Sequence, residues 1–167
     1  VHYGSIIFEE ELSNNVDKIN LLKPDIVVLT GDLIDSDYPY DKDILIKYLS
    51  KINATIGKYA VSGNNDIIED YNIILGSSGF KNLDNDYELI YNSTTPIIIS
   101  GISSSYSETD IGYKTEKFDT YISSLETSNR PVYSILLMHE PDYVDKLNLD
   151  NYNLILAGHS HGGQVVL

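Results

Sequence analysis

With 167 residues and 42% hydrophobic side chains, the chain has enough apolar material for a buried core, which excludes a disordered segment and fits a single domain over 1–167. Its formal net charge of −14 comes from 25 acidic and 11 basic residues, and Arg130 is the one arginine, so binding nucleic acid by neutralising phosphates is disfavoured. The lack of cysteine removes disulfides, thiolate ligands and cysteine nucleophiles, and no apolar run approaches the roughly 18 residues of a membrane span.

The spacing of apolar residues predicts elements in the following order. Phe8 to Leu22 sets Leu12, Val16, Ile19 and Leu22 on one helical stripe. Ile26-Val27-Val28-Leu29 then reads as a buried strand. Asp41 to Ile52 places Ile44, Leu45, Tyr48 and Ile52 on a second helical stripe, and Lys58-Tyr59-Ala60-Val61 forms the next strand. A weaker helical pattern runs from Ile67 to Leu75. Tyr87-Glu88-Leu89-Ile90 and Pro96 to Ser100 read as a hairpin joined by Asn92-Ser93-Thr94-Thr95. Lys114 to Leu125 predicts another helix, followed by Arg130-Pro131. Tyr133 to Leu137 is a strand, Pro141 suits the first turn of a short helix over Asp142 to Leu147, and Leu154-Ile155-Leu156 is the last strand. Strands alternating with helices indicate a layered α/β domain, and the hairpin makes its sheet region mixed. The chain opens on Val1 rather than methionine, so it is expected to be an excerpt truncated at both ends, and targeting signals are not readable from it.

Chemistry-bearing residues follow four of these strands. They are Gly31-Asp32-Leu33-Ile34-Asp35, Gly63-Asn64-Asn65-Asp66, His139-Glu140-Pro141 and Gly158-His159-Ser160-His161. Ligand sites in open α/β sheets form outside the carboxyl ends of strands, and glycine directly precedes three of the four groups, permitting close backbone approach and unusual dihedrals. Two imidazoles in a His-x-His make a partial chelate, although a glycine-rich turn with two exposed histidines would read the same in isolation. Oxygen and imidazole donors without sulfur suit manganese, iron or zinc at a catalytic site.

This ordered set resembles the calcineurin-like metallophosphoesterase family, whose pattern runs Asp-x-His, Gly-Asp-x-x-Asp, Gly-Asn-His-Asp/Glu, a lone His and Gly-His-x-His. The resemblance covers almost the whole chain through His2, Gly31-Asp32 with Asp35, Gly63-Asn64-Asn65-Asp66, His139 and Gly158-His159-Ser160-His161. The ending Gly162-Gly163-Gln164 is similar to that of a bacterial branch often associated with membranes or the cell envelope. The resemblance implies an α/β/β/α sandwich of two mixed sheets flanked by helices, here without its N-terminal strand. It also implies two divalent metal ions, manganese, iron or zinc, with Asp32 bridging both. His2 and His161 complete one site; Asn64, His139 and His159 complete the other. The implied activity is hydrolysis of phosphodiesters or phosphomonoesters of small or lipid-linked molecules by a hydroxide held between the ions. Asp35 is expected to orient a ligand rather than to be one. Bound cations would also meet the substrate's charge in a chain so poor in arginine.

Two departures stand out. Val1-His2 matches only the end of the first motif, so its aspartate is missing, and a terminal His2 is expected to be poorly ordered unless tied down. Asn65 stands where the family usually has the histidine proposed to protonate the leaving group, and an amide is no acid near neutral pH. Asp66 is the remaining candidate acid, given a pKa raised by burial or neighbouring carboxylates. A phosphoprotein phosphatase finds little support, because basic side chains for the phosphate are scarce. A non-catalytic metal-binding interaction module on the same fold is the rival that Asn65 and the missing aspartate favour. The 14 tyrosines read as half-buried surface rather than base-stacking platforms, and the polar stretch from Ser103 to Gly112 as a solvated connection rather than a lid.

Overall fold

The computed structural model describes residues 1–91, 95–104, 111–128 and 132–161, with backbone alone at 111–113 and 126. The expected turn at 92–94, the polar loop at 105–110, Arg130-Pro131 and the Gly162-Gly163-Gln164 ending lie outside the described residues. The elements are α1 (Glu9–Leu21), β1 (Ile26–Thr30), α2 (Lys42–Leu49), β2 (Gly57–Val61), α3 (Ile68–Ser77), β3 (Lys81–Asn82), β4 (Asp86–Ile90), β5 (Ile97–Gly101), α4 (Ile111–Thr127), β6 (Tyr133–Met138) and β7 (Leu154–Ala157). Asp41 starts α2 by accepting from the amides of Asp43 and Ile44 at 2.9 and 3.2 Å, which satisfies donors that the first helical turn leaves open. Pro141 does open a helical segment, but Pro141–Lys146 is a 3-10 helix; so short a piece gains little from α-type bonding. The two-residue β3 has no pattern that a periodicity reading can detect.

Alternation along the strands builds three apolar layers. β1, β2 and β3 form a parallel sheet in that order, and β4-β5-β6-β7 form a second, mixed sheet with β4 antiparallel to β5. Ile26 and Val28 of β1 and Tyr59 and Val61 of β2 face Ile97, Ile99, Ile135, Leu137 and Leu156 of the other sheet. Their neighbours Val27, Leu29 and Ala60 point the opposite way, onto Leu12 and Val16 of α1, Leu45 and Leu49 of α2, and Tyr71, Ile74 and Leu75 of α3. On the far side, Leu136, Met138 and Ile155 pack with Phe118 of α4 and Tyr143. The period of two in each strand thus yields the α/β/β/α layering expected. Leu22 departs from its predicted stripe: it lies beyond the last turn of α1 and is 80% exposed.

Candidate metal centre

Register decides where the strand-end motifs meet. Thr30 pairs with Val61 and Met138 with Ala157, so in each sheet the parallel strands run out level and deliver their following turns to one edge of the sandwich. There the two sheets frame a cleft of about 400 Å³, whose walls include His2, Gly31, Asp32, His139, His159 and His161. No tyrosine lines it among the described residues.

Asp32 lies at the centre. Its Oδ2 is 3.2 Å from His2 Nε2 and 3.1 Å from His139 Nε2. On one side His2 Nε2 faces His161 Nε2 at 3.1 Å. On the other, His139 Nε2 faces Asn64 Oδ1 at 3.0 Å and His159 Nδ1 at 3.2 Å. Donors held about 2.0–2.1 Å from one ion in tetrahedral or octahedral fashion lie roughly 2.9–3.4 Å from each other, so these spacings fit the edges of a coordination shell. His139 Nδ1 sits 2.6 Å from the Thr30 carbonyl and donates to it, which leaves Nε2 as the ring atom turned to the cleft. Asp35 lies behind His2 without a hydrogen bond to it: Oδ2 is 3.6 Å from Nδ1 and accepts from Ser5 Oγ at 2.7 Å. His2 is not frayed: it is 8% exposed and its amide donates to the Asp32 carbonyl at 2.9 Å.

The electrostatics suit exchange of a proton for a cation. Burial opposes ionisation of Asp32, but hydrogen bonds from His139 and from the amide and side chain of Asn65 outweigh it and hold this carboxyl well below the usual carboxylate range. Burial likewise opposes charge on His139, yet Asp32 and the Thr30 carbonyl raise its pKa. A divalent ion bound by His139 must displace any proton on its Nε2, so metal uptake is expected to favour the deprotonated ring and to depend on pH.

Backbone conformation marks the same residues. His2, Asp32, His159 and His161 have φ values of 50, 50, 59 and 50°, in the left-handed region that costs a non-glycine residue roughly 1–3 kcal/mol. The glycines before the strand-end residues serve different needs. Gly31 has φ 84°. Gly63 does not need that freedom; a Cβ there would stand 2.3 Å from both the amide nitrogen and Oδ1 of Asp32, so the two loops touch backbone to backbone.

Asn65 and Asp66 both turn toward Asp32. Asn65 donates from its backbone to Asp32 Oδ1 at 2.9 Å and from Nδ2 to Oδ2 at 3.0 Å. Asp66, considered above as an acid, does not line the cleft. Its oxygens accept from the amides of Asp32, Leu33, Ile34 and Gly63 at 2.8 to 3.1 Å. Burial pushes this carboxyl up to about 6, against the pull of those donors, but a proton on either oxygen would face N–H groups rather than a leaving group.

A model of the family described as calcineurin-like phosphoesterase matches residues 6–163. The chain belongs to the calcineurin-like phosphoesterase family. Among the described residues of the present calcineurin-like domain, Asp32, His139 and His159 each offer a ligand atom within 4.8 Å of the others. The domain is similar to the uncharacterized metallophosphoesterase YkuE of Bacillus subtilis, with 33% identity over 172 residues that cover 99% of the chain and 57% of the relative. It is also similar to the uncharacterized metallophosphoesterase Cj0846 of Campylobacter jejuni, with 30% identity over 168 residues that cover 99% and 43%. The chain therefore spans about half the length of these curated relatives. A solved protein of unknown function from Aquifex aeolicus superimposes with a TM-score of 0.48 at 16% identity, covering 93% of this chain and 77% of that one.

Thr30 and Ser5 have no signature in the sequence. Each acts through a backbone carbonyl or a hydroxyl behind a histidine, and nothing in residue type or spacing distinguishes such groups. No helix among the described residues is long and apolar enough to cross a membrane.

Proposed function

We propose that this domain hydrolyses phosphodiesters or phosphomonoesters of small or lipid-linked molecules at a centre of two divalent ions, manganese, iron or zinc. The supporting observation is the position of Asp32 Oδ2, nearly equidistant from His2 Nε2 and His139 Nε2 at 3.2 and 3.1 Å. His2, Asp32 and His161 would hold one ion; Asp32, Asn64, His139 and His159 would hold the other. When bound, such a pair of ions neutralises phosphoryl charge and acidifies water toward neutral pH. The chain's own residues orient the donors: Thr30 aligns His139, Asp35 stands behind His2, and Asn65 fixes both oxygens of Asp32.

The test combines metal analysis of the full chain with hydrolysis of bis- and mono-p-nitrophenyl phosphate in manganese. The expected result is two equivalents of metal and metal-stimulated turnover, abolished in His159→Ala. Retained activity in that variant would remove His159 from the site. Binding of metal with no turnover would instead favour the non-catalytic interaction module, a reading supported by Asn65, whose amide is no acid and is engaged with both oxygens of Asp32.

That engagement also sets an expectation for catalysis. Loss of a general acid typically costs about 10²–10⁴ in rate, and leaving groups of low pKa suffer least. On a series of aryl phosphodiesters, rates should depend more steeply on leaving-group pKa in the parent than in Asn65→His; equal slopes would remove Asn65 as the cause.

A further inference from the structure

We propose that Asp66 is the positioning residue of the centre, whose carboxylate locks the Asp32 loop to the Asn64 loop and thereby fixes Asp32 in its ligand-presenting backbone conformation. The inference rests on the metal reading given above.

Three successive amides, those of Asp32, Leu33 and Ile34, converge on this one side chain. Oδ2 accepts from Asp32 at 2.9 Å and Oδ1 from Leu33 and Ile34 at 2.9 and 3.1 Å. Consecutive N–H groups curling around one anion form a nest, and here the anion belongs to the protein itself. Oδ2 also accepts from the Gly63 amide at 2.8 Å, so the loops after β1 and β2 share one carboxylate. Asp66 is 9% exposed and has no ion-pair partner among the described residues. Four amide donors are therefore what compensates its burial. Gly31 and Asp32 both have positive φ, 84 and 50°. A turn so disfavoured persists only where its surroundings hold it, and the bond from the Asp32 amide to Asp66 is a direct hold. Every bond in this set is between residues of the two loops, and none reaches the cleft.

The distinguishing comparison is with Asp70. Its carboxylate, in the first turn of α3, reaches the end of the β1–α2 connection and the start of α2, accepting from Tyr40 Oη at 2.5 Å and Lys42 Nζ at 2.8 Å, without touching Asp32. Manganese affinity is to be read from the electron paramagnetic resonance of the free ion, and folding from circular dichroism and thermal melting, on the full chain. Asp66→Asn preserves size but replaces one acceptor oxygen with a donor aimed at N–H groups. It should weaken manganese binding about 10- to 100-fold, the range for loss of a group that orients a ligand. Asp66→Glu keeps two acceptor oxygens and should recover most of that loss. Asp70→Asn should lower the melting temperature and leave manganese affinity unchanged. Wild-type affinity in folded Asp66→Asn, or equal weakening in the Asp66 and Asp70 variants, overturns the proposal. Absence of manganese binding by the parent overturns the metal reading and this inference with it. Should Asp66→Asn not fold, hydrogen exchange in the metal-free parent decides. Protection of the Asp32, Leu33, Ile34 and Gly63 amides supports the lock, and exchange at the rate of open loops overturns it.

Discussion

Asp32→Asn should eliminate metal-stimulated phosphoester hydrolysis and reduce manganese binding by more than about 10²-fold, the upper end of what loss of a mere orienting partner costs. The substitution keeps the shape of the side chain and changes its charge and one acceptor atom, so the expected loss is chemical rather than steric. Among the described residues, no other stands where Asp32 stands. Its Oδ2 is within 3.2 Å of one histidine from each group, and its Oδ1 takes the Asn65 amide. An amide in that place offers no negative charge to two cations, and in one of its two orientations it turns its NH₂ toward Nε2 atoms that need their lone pairs for metal. Loss of one ligand from a single group, as in His159→Ala, leaves the other group intact, whereas Asp32→Asn weakens both. Isothermal titration with manganese, together with turnover of bis-p-nitrophenyl phosphate, checks this. Binding at the parent's affinity would show that Asp32 is not shared between two ions.

Gly63→Ala is the second large effect, and it arises from space. The added Cβ would lie 2.3 Å from the Asp32 amide nitrogen and from Oδ1, and 2.9 Å from Cγ. The neighbours cannot yield easily. Asp32 is 3% exposed, its amide is bound to Asp66, and its Oδ1 to the Asn65 amide. Overpacking a site of this kind typically costs about 1–3 kcal/mol, here at the point where both loops meet. A lowered melting temperature together with loss of manganese binding is the expected outcome. A variant that melts and binds metal like the parent would contradict the close approach of the two loops. At Gly76, by contrast, an added methyl group would meet nothing within 4 Å. Gly76→Ala within α3 should therefore leave metal binding unchanged and serves as the control.

Much of the architecture could be read from residue order. Ile26 to Leu29, Lys58 to Val61 and Tyr133 to Leu137 are apolar runs of strand length, and each lies within an observed strand. Helical spacing located α1 through α4, because a helix or strand that buries one face must repeat at its own period. The turn residues after β1, β2, β6 and β7 could be recognised as a set because glycine, carboxylate, amide and imidazole recur at strand ends in the same order as in the family. Leu22 continues the apolar spacing of α1 yet is exposed beyond its end, because periodicity carries no information about where a helix stops.

What the sequence by itself determined is therefore the inventory of candidate donors and the elements that present them: Asp32, Asn64, His139, His159 and His161 behind short apolar strands. Only the tertiary structure gives the distances between them. His2 and His161 are separated by 159 positions along the chain and 3.1 Å in space; Asp32 and Asp66 are 34 apart in sequence and joined by one hydrogen bond from a backbone amide. Local patterns register periodicity and residue type, whereas the first contact depends on two sheets stacking and the second on β1 and β2 lying side by side with their ends level. The hold of the Asp66 carboxylate on the left-handed Asp32 follows from that parallel pairing, since a backbone N–H has no signature in sequence until the fold determines which acceptor it meets.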